Sequence, residues 1–174
     1  MLHATCRVLC LGLLLVFCAA DSRGQTIDPT SRHIGPHVRG ATPQITALIK
    51  RAVSRSPTFA SLVAALDRTD VIVYIERTRR LPSGVDGQLA FSGAAGPLRY
   101  LRAQVIVDLE EDAMLAIAGH ELQHALEVAA HPEVRDAATL GALYEKIGIG
   151  MSHRGRFDTA AAQLAGRRVR NELN

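Results

Sequence analysis

The sequence has no tryptophan, few aromatic residues and no cysteine after residue 18. Its three cysteines, Cys6, Cys10 and Cys18, all lie in an N-terminal segment that we expect to be removed. A mature chain without cysteine cannot form disulfides, and it offers neither a thiolate zinc site nor a cysteine nucleophile. Stability must therefore come from the core, with help from a metal if one is bound.

The N-terminus has the order of regions found in a secretory signal peptide, which we assign to residues 1–20. Arg7 precedes the apolar run 8–17, and Cys18-Ala19-Ala20 provides small residues at the cleavage point. A run of about ten residues is too short to span a membrane, which needs about 20. Phe17 is bulky where a lipoprotein signal requires a small residue, which argues against lipidation at Cys18. We expect cleavage near Ala20, export to the periplasm or medium, and no membrane span in the mature chain.

The mature chain has little net charge. Removing Arg7 from the 20 Lys+Arg leaves 19 basic side chains against 17 acidic ones, a net charge of +2. Basic residues form two local groups, Arg77, Arg79 and Arg80, and then Arg167, Arg168 and Arg170. We interpret both groups as solvated surface, because no aromatic residues are interleaved with them for base stacking. Nucleic acid is not an expected partner.

The pattern of the mature chain predicts a leader followed by one α+β domain. Residues 21–41 are rich in Pro and Gly without a hydrophobic period and are predicted to be a disordered leader. Thr42-Pro43 is a typical helix start, so the domain is assigned to residues 42–174. Two helices, about three strands at 71–75, 88–92 and 98–109, and three further helices follow. This order predicts a small, mostly antiparallel sheet of about three strands packed against helices.

A strongly helical stretch after the last predicted strand contains His120-Glu121-Leu122-Gln123-His124, an H-E-x-x-H pentad. Residues four apart lie on one helix face, so both imidazoles can bind one zinc ion. Glu121 is rotated by about 100° from His120 and is better placed to hydrogen-bond a metal-bound water as general base. The opposite face is apolar, with Leu115, Ala118, Leu122, Ala125 and Ala129. Such an amphipathic helix suits a metal site at the edge of a core.

At these residues the chain resembles the zincin metallopeptidases, most closely their small gluzincin-like members. The specific match covers residues 113–130, and the order of elements extends it more loosely from about residue 71 to the C-terminus. The metzincin variant of the motif does not fit, because Glu127 and Ala130 stand where its Gly and third His should be. The resemblance implies a zincin-like fold in which a sheet precedes the pentad helix. It also implies that a peptide substrate pairs with a sheet edge, here expected near residues 103–109.

The resemblance further implies that a later helix donates a third zinc ligand. Glu145 follows His124 by 21 residues, a separation common in gluzincins, and Asp158 follows it by 34. Asp158 precedes small residues, as the gluzincin third ligand does, although Asp replaces the usual Glu. Glu127 lies on the pentad helix itself, where an outer-shell role is more natural. We predict Asp158 as the ligand and leave Glu145 and Glu127 open as alternatives.

A hydrolase of this type also needs a donor near the developing oxyanion. His153 is the predicted donor, because its Gly-rich loop can fold over the metal; Tyr144, Arg154 and Arg156 lie in the same part of the chain. The resulting hypothesis is an exported, Zn²⁺-dependent peptidase with a peptide or protein substrate. Its zinc ligands are His120, His124 and Asp158, and its base is Glu121. The alternative is an exported, non-catalytic domain that binds metal or a partner on the same frame.

Overall fold

The computed structural model describes residues 35–149 and 158–174, and all of them lie within one compact unit, Ile34–Asn174. Within these ranges the chain forms five helices and four strands. In chain order they are β1 (Val38–Gly40), α1 (Pro43–Arg55), α2 (Pro57–Leu66), β2 (Val71–Thr78), β3 (Gly87–Ala95), β4 (Leu98–Ile106), α3 (Glu111–Ala129), α4 (Ala137–Ile147) and α5 (Ala160–Leu173). The predicted α+β class is confirmed. Among the described helices, none is long and apolar enough to cross a membrane.

The sheet has the strand order β1-β2-β4-β3. β1 pairs parallel with β2, and β2 parallel with β4, while β3 and β4 form an antiparallel hairpin. The prediction of a mostly antiparallel sheet of three strands was therefore wrong. Two features of the chain path explain the error. Helices α1 and α2 form the crossover that parallel pairing of β1 with β2 requires. Strand β4, which follows β3 in the chain, lies between β2 and β3 in the sheet. A zincin-like fold stays a prediction.

Strand β1 lies inside the segment predicted to be a disordered leader. Val38 is in register with Val73 of β2, and the backbone N–H of His37 donates to Asp67 Oδ1 at 2.8 Å. The leader boundary at residue 41 was thus wrong, because backbone pairing with β2 orders a stretch that has no side-chain period of its own. Residues 1–34, including the predicted signal peptide and Cys18, lie outside the described residues.

Strand β4 is an interior strand, paired with β2 on one side and with β3 on the other. The expectation that a substrate pairs near residues 103–109 was therefore wrong, because the backbone groups of an interior strand are already used on both sides. On this side of the sheet the edge is β3. The hairpin turn at residues 95–98 therefore places β3 at the edge of the sheet and β4 in its interior.

Helix α3, which contains the pentad, packs on the sheet and against α5. Its back is buried, with Leu115, Ala118, Leu122, Ala125 and Val128 fully covered. Burial of one such leucine contributes about 1.5–3 kcal/mol. The buried guanidinium of Arg99, on β4, donates to Asp70 Oδ1 at 2.7 Å and to Val128 O at 2.9 Å. It thereby satisfies carbonyl groups at the end of α3 that have no partner within the helix.

Four of the described helices begin at a side-chain N-cap, and that of α4 is Asp136, in a capping box with Thr139. Thr42 and Ser56 accept hydrogen bonds from backbone N–H groups in α1 and α2, and a proline follows each cap. Helix α5 begins at Ala160, and the side chain of Thr159, its N-cap, accepts from the backbone N–H of Ala162. Asp158 therefore precedes the cap, which leaves its carboxylate outside the helix.

Candidate metal centre

The two histidines of the pentad project from one face of α3. Their ring centroids are 4.8 Å apart, with the planes at 79° to each other. His124 is buried, whereas 24% of the His120 side chain is exposed. The α-helical geometry predicted for this segment is confirmed. The imidazole pair thus has one member anchored in the protein interior and one at the surface of a cleft.

The carboxylate of Asp158 meets the two imidazoles. Its Oδ1 lies 3.4 Å from His120 Nε2 and 3.8 Å from His124 Nε2, and the three ligand atoms all lie within 4.8 Å of one another. Ligand atoms of a tetrahedral zinc site are about 3.3–3.4 Å apart, given bond lengths of about 2.0–2.1 Å. The two separations from Asp158 Oδ1 are near that value, so the three ligand atoms could hold a metal ion after a small inward movement of the side chains.

Local hydrogen bonds hold the Asp158 carboxylate. Oδ1 accepts from the backbone N–H of Thr159 at 2.7 Å, and Oδ2 accepts from Gln163 Nε2 at 2.9 Å. Close packing of α5 on α3 brings this carboxylate to the histidines, because small residues form the contact. A Cβ added at Gly166 would lie 3.2 Å from His120 Cβ, and one at Gly119 would lie 2.8 Å from Val169 Cγ2.

Glu127 lies behind the histidines. Its Oε2 is 2.8 Å from His124 Nδ1, and its Oε1 accepts from Thr159 Oγ1 at 2.6 Å. Because an ionised carboxylate can only accept, His124 carries its proton on Nδ1 and keeps the Nε2 lone pair facing Asp158 and His120. This is the tautomer that a metal ligand needs. Glu127 also connects the pentad helix to Thr159, the N-cap of α5.

Charges and burial shift the pKa values of the cluster in opposite directions. Burial lowers the pKa of His120 below its ordinary value, and the neighbouring His124 lowers it further. Burial alone would lower the pKa of His124, but its hydrogen bond to Glu127 and the nearby charge of Glu121 raise it above the ordinary value. The lowered pKa favours a neutral His120, whereas the raised pKa of His124 means that a cation bound there competes with a proton.

Glu121 is buried beside the cluster of His120, His124 and Asp158, and next to Gly87, the first residue of β3. Burial raises the pKa of its carboxyl group to about 7. A Cβ added at Gly87 would lie 2.7 Å from Glu121 Oε1, so the glycine allows the strand to approach the carboxylate. Such a perturbed carboxyl group in a cleft is a common property of general bases.

The cluster forms part of the wall of a cleft with a volume of about 720 Å³. One wall consists of β3 and the loop before it, and α3, α4 and α5 form the other sides. Leu89, Phe91, Ile117 and Leu140 supply apolar surface, while Gln163, Arg167 and Arg170 of α5 supply polar surface. The volume is within the range of cavities that hold small molecules or short peptide segments.

The remaining predicted site residues are not in the described cluster. Glu145 is exposed on α4, whereas Tyr144 lines the cleft and donates from its hydroxyl to His124 O at 3.0 Å. His153, Arg154 and Arg156 lie outside the described residues. The residues near the cluster that were not predicted as site residues are Thr159, Gln163, Arg167 and Arg170. The last three lie on one face of α5, at separations of four and three residues. No family model matches the chain, and neither a curated protein nor a solved structure matches it.

Proposed function

We propose that the protein is a zinc-dependent hydrolase that cleaves peptide bonds. The observation that carries the proposal is the convergence of His120, His124 and Asp158, with ligand atoms within 4.8 Å of one another, beside the buried carboxyl group of Glu121. A site that only stores a metal has no need of a fourth group, a non-ligating carboxylate, at this position. The arrangement therefore favours catalysis over the non-catalytic alternative.

The donor set fits zinc. Two imidazoles and one carboxylate are a usual combination in catalytic zinc sites, which keep an open fourth position. The carboxylate of Glu127 fixes the His124 tautomer, as outer-shell groups do in such sites. When bound, zinc supplies a Lewis acid that polarises a carbonyl group and makes water more acidic.

Glu121 is the proposed general base. Positive charge held by the three ligands would favour its ionised form and oppose the burial that, as the largest cause, raises its pKa to about 7. The ionised carboxylate accepts a proton from the attacking water and can return it to the leaving amine. A base whose pKa is near the working pH is efficient in both directions.

A peptide is the proposed substrate because the cleft is bordered by a free strand edge. β3 pairs with β4 on one side, has no strand partner on its other side among the described residues, and lines the cleft. The unpaired N–H and C=O groups of an edge strand bind an extended peptide backbone whatever its sequence. Apolar side chains of the peptide then contact Leu89, Phe91 and Leu140.

Export is part of the proposal. The order of regions in residues 1–20 predicts removal of the signal peptide near Ala20. N-terminal sequencing of the protein recovered from a secreting host tests this. Recovery of the full-length chain in the cytoplasm would contradict it.

Glu121→Gln tests the enzyme directly. This substitution removes the base but keeps the side-chain volume and all three metal ligands, so the variant should bind one zinc ion like the wild type. Hydrolysis of a peptide library, read by mass spectrometry, should fall roughly 100-fold or more. His120→Ala is the contrasting variant, and both zinc content and hydrolysis should fall. Zinc binding by wild type and Glu121→Gln with no cleavage by either would favour the non-catalytic metal-binding domain.

A further inference from the structure

The two ends of the cleft differ in chemistry. Helix α5 runs antiparallel to α3, because Gly166 lies beside His120 and Val169 beside Gly119, closer to the start of α3. Arg167 and Arg170 therefore line the cleft on the side of the metal cluster nearer the start of α3. At the opposite end, Leu140 of α4 and Phe91 of β3 line it with apolar surface.

Arg167 and Arg170 have no hydrogen-bond or ion-pair partner among the residues that the structure describes. Other arginines of the domain are paired, such as Arg51 with Asp112 and Arg99 with Asp70. Asp86 also lines the cleft but lies beyond ion-pair distance from both guanidinium groups. Glu121 also lies at this end and forms no ion pair with either arginine among the described residues, so both guanidinium groups are available to a ligand anion.

The direction of β3 relates these ends to the direction of a bound peptide. β3 begins at Gly87, beside Ile117 and Glu121, and the turn after it ends near Arg135, whose guanidinium donates to Gly96 O at 2.8 Å. β3 thus runs along the cleft from its basic end to its apolar end. An antiparallel peptide, the slightly more stable pairing, runs the other way, so its residues after the cleaved bond reach the basic end.

We propose that the cleft selects peptides that carry an acidic group on the C-terminal side of the cleaved bond, bound by Arg167 and Arg170, and an apolar side chain before it. The inference rests on the proposed function. Guanidinium groups match carboxylates in shape and charge, and arginine can bind them through two parallel hydrogen bonds. Gln163, on the same stripe of α5, is already bonded to Asp158, which leaves the two arginines as the anion-binding groups.

Binding is measured first, independently of turnover. Zinc-loaded Glu121→Gln protein is titrated with acetyl-Ala-Ala-Leu-Leu-Glu-Glu-amide. The control is the same peptide with Gln in place of both Glu residues. The acidic peptide should bind about tenfold more tightly, and the difference should shrink as salt is added. Adding R167E/R170E should abolish or reverse the preference. R68E/R77E is the matched control, because it changes the net charge equally at exposed arginines outside the cleft, and it should keep the preference.

Cleavage by the zinc-loaded wild type is measured next, on an unbiased peptide library. Acidic residues should be enriched in the positions after the cleaved bond, and R167E/R170E should replace this enrichment with one for Lys and Arg. Equal binding of the two peptides overturns the inference, as does cleavage without an acidic preference or with acidic residues enriched before the bond. An acidic preference in binding without any cleavage supports the inference and overturns the proposed hydrolase.

Discussion

Two carboxylates act on the histidine pair in different ways. Asp158 approaches the Nε2 atoms, where a metal would bind, whereas Glu127 contacts His124 from the opposite side at Nδ1. Thr159 connects them, since its backbone N–H donates to Asp158 and its hydroxyl donates to Glu127. A single residue at the start of α5 thus orients an inner and an outer carboxylate together. At this scale the site depends on hydrogen bonds rather than on burial, because the Asp158 side chain is 36% exposed.

The first prediction at the residue scale compares Asp158→Ala with Glu145→Ala. Asp158→Ala removes one of three ligand groups, so zinc affinity should fall by more than the roughly 10–100-fold that loss of an outer-shell residue causes. Glu145 is exposed on α4 and outside the cluster, so its variant should bind zinc as the wild type does. Competition with a chromogenic chelator measures both affinities. Loss of zinc in Glu145→Ala alone would reverse the ligand assignment.

Among the elements, α3 and α5 form the pair on which the site depends. Helix α3 carries both histidines and Asp158 directly precedes the N-cap of α5, and glycine at positions 119 and 166 allows the two helices to approach. Strand β3 adds the third side, where Gly87 lies against Ile117 and Glu121. The site therefore responds to small changes in the separation of these three elements, even when the residue that changes is not a proposed ligand.

At this scale, Gly119→Ala and Gly141→Ala should have opposite effects. A Cβ at position 119 would lie 2.8 Å from Val169 Cγ2, so α5 must shift, at a cost of about 1–3 kcal/mol in unfolding free energy and with weaker zinc binding. A Cβ at position 141 meets nothing within 4 Å. Gly141→Ala should therefore stabilise the protein by about 0.5–1 kcal/mol through helix propensity. Urea unfolding of both variants without metal is the test, and equal effects would contradict the packing argument.

For the molecule as a whole, the Arg99–Asp70 pair joins the sheet to the end of the pentad helix. Arg99 is fully buried on β4 and bonds Asp70, just before β2, as well as carbonyl groups after α3 such as His131 O. A buried guanidinium that loses its anion is costly. The Arg99 guanidinium beside Asp70 also holds the pKa of that carboxyl group below its ordinary value.

Asp70→Asn should lower the unfolding free energy by about 1–3 kcal/mol at neutral pH. Since the pKa of Asp70 is lowered in the folded protein, its contribution is fully present above the unfolded pKa of about 3.8 and is lost as the pH falls through the folded value. The stability gap between wild type and Asp70→Asn should therefore narrow below about pH 4. Denaturant unfolding with a chelator present measures this, and Asp108→Asn is the control, because Asp108 is exposed and its side chain has no partner among the described residues. A gap that does not change with pH would contradict the ion-pair account.

Short-range features of this protein could be predicted from the sequence alone. The spacing of His120 and His124 places them on one helix face, and the Thr42-Pro43 start of α1 depends on a cap and its proline. Both are determined within a few residues, by helix geometry and by local hydrogen bonds. The α+β class could also be predicted, because the hydrophobic periods of helices and strands are local patterns in the sequence.

Only the tertiary structure decided the strand order, the interior position of β4 and the choice among three carboxylates. Pairing of β1 with β2 joins residues far apart in the chain, and no local pattern encodes which neighbour a strand acquires. Asp158, Glu145 and Glu127 all had suitable chemistry, but Asp158 alone of the three belongs to the described cluster. Likewise, Arg167 and Arg170 read as solvated surface until α5 was placed beside the cleft. Function at such a site depends on distances between elements, and those are set by packing of the whole domain.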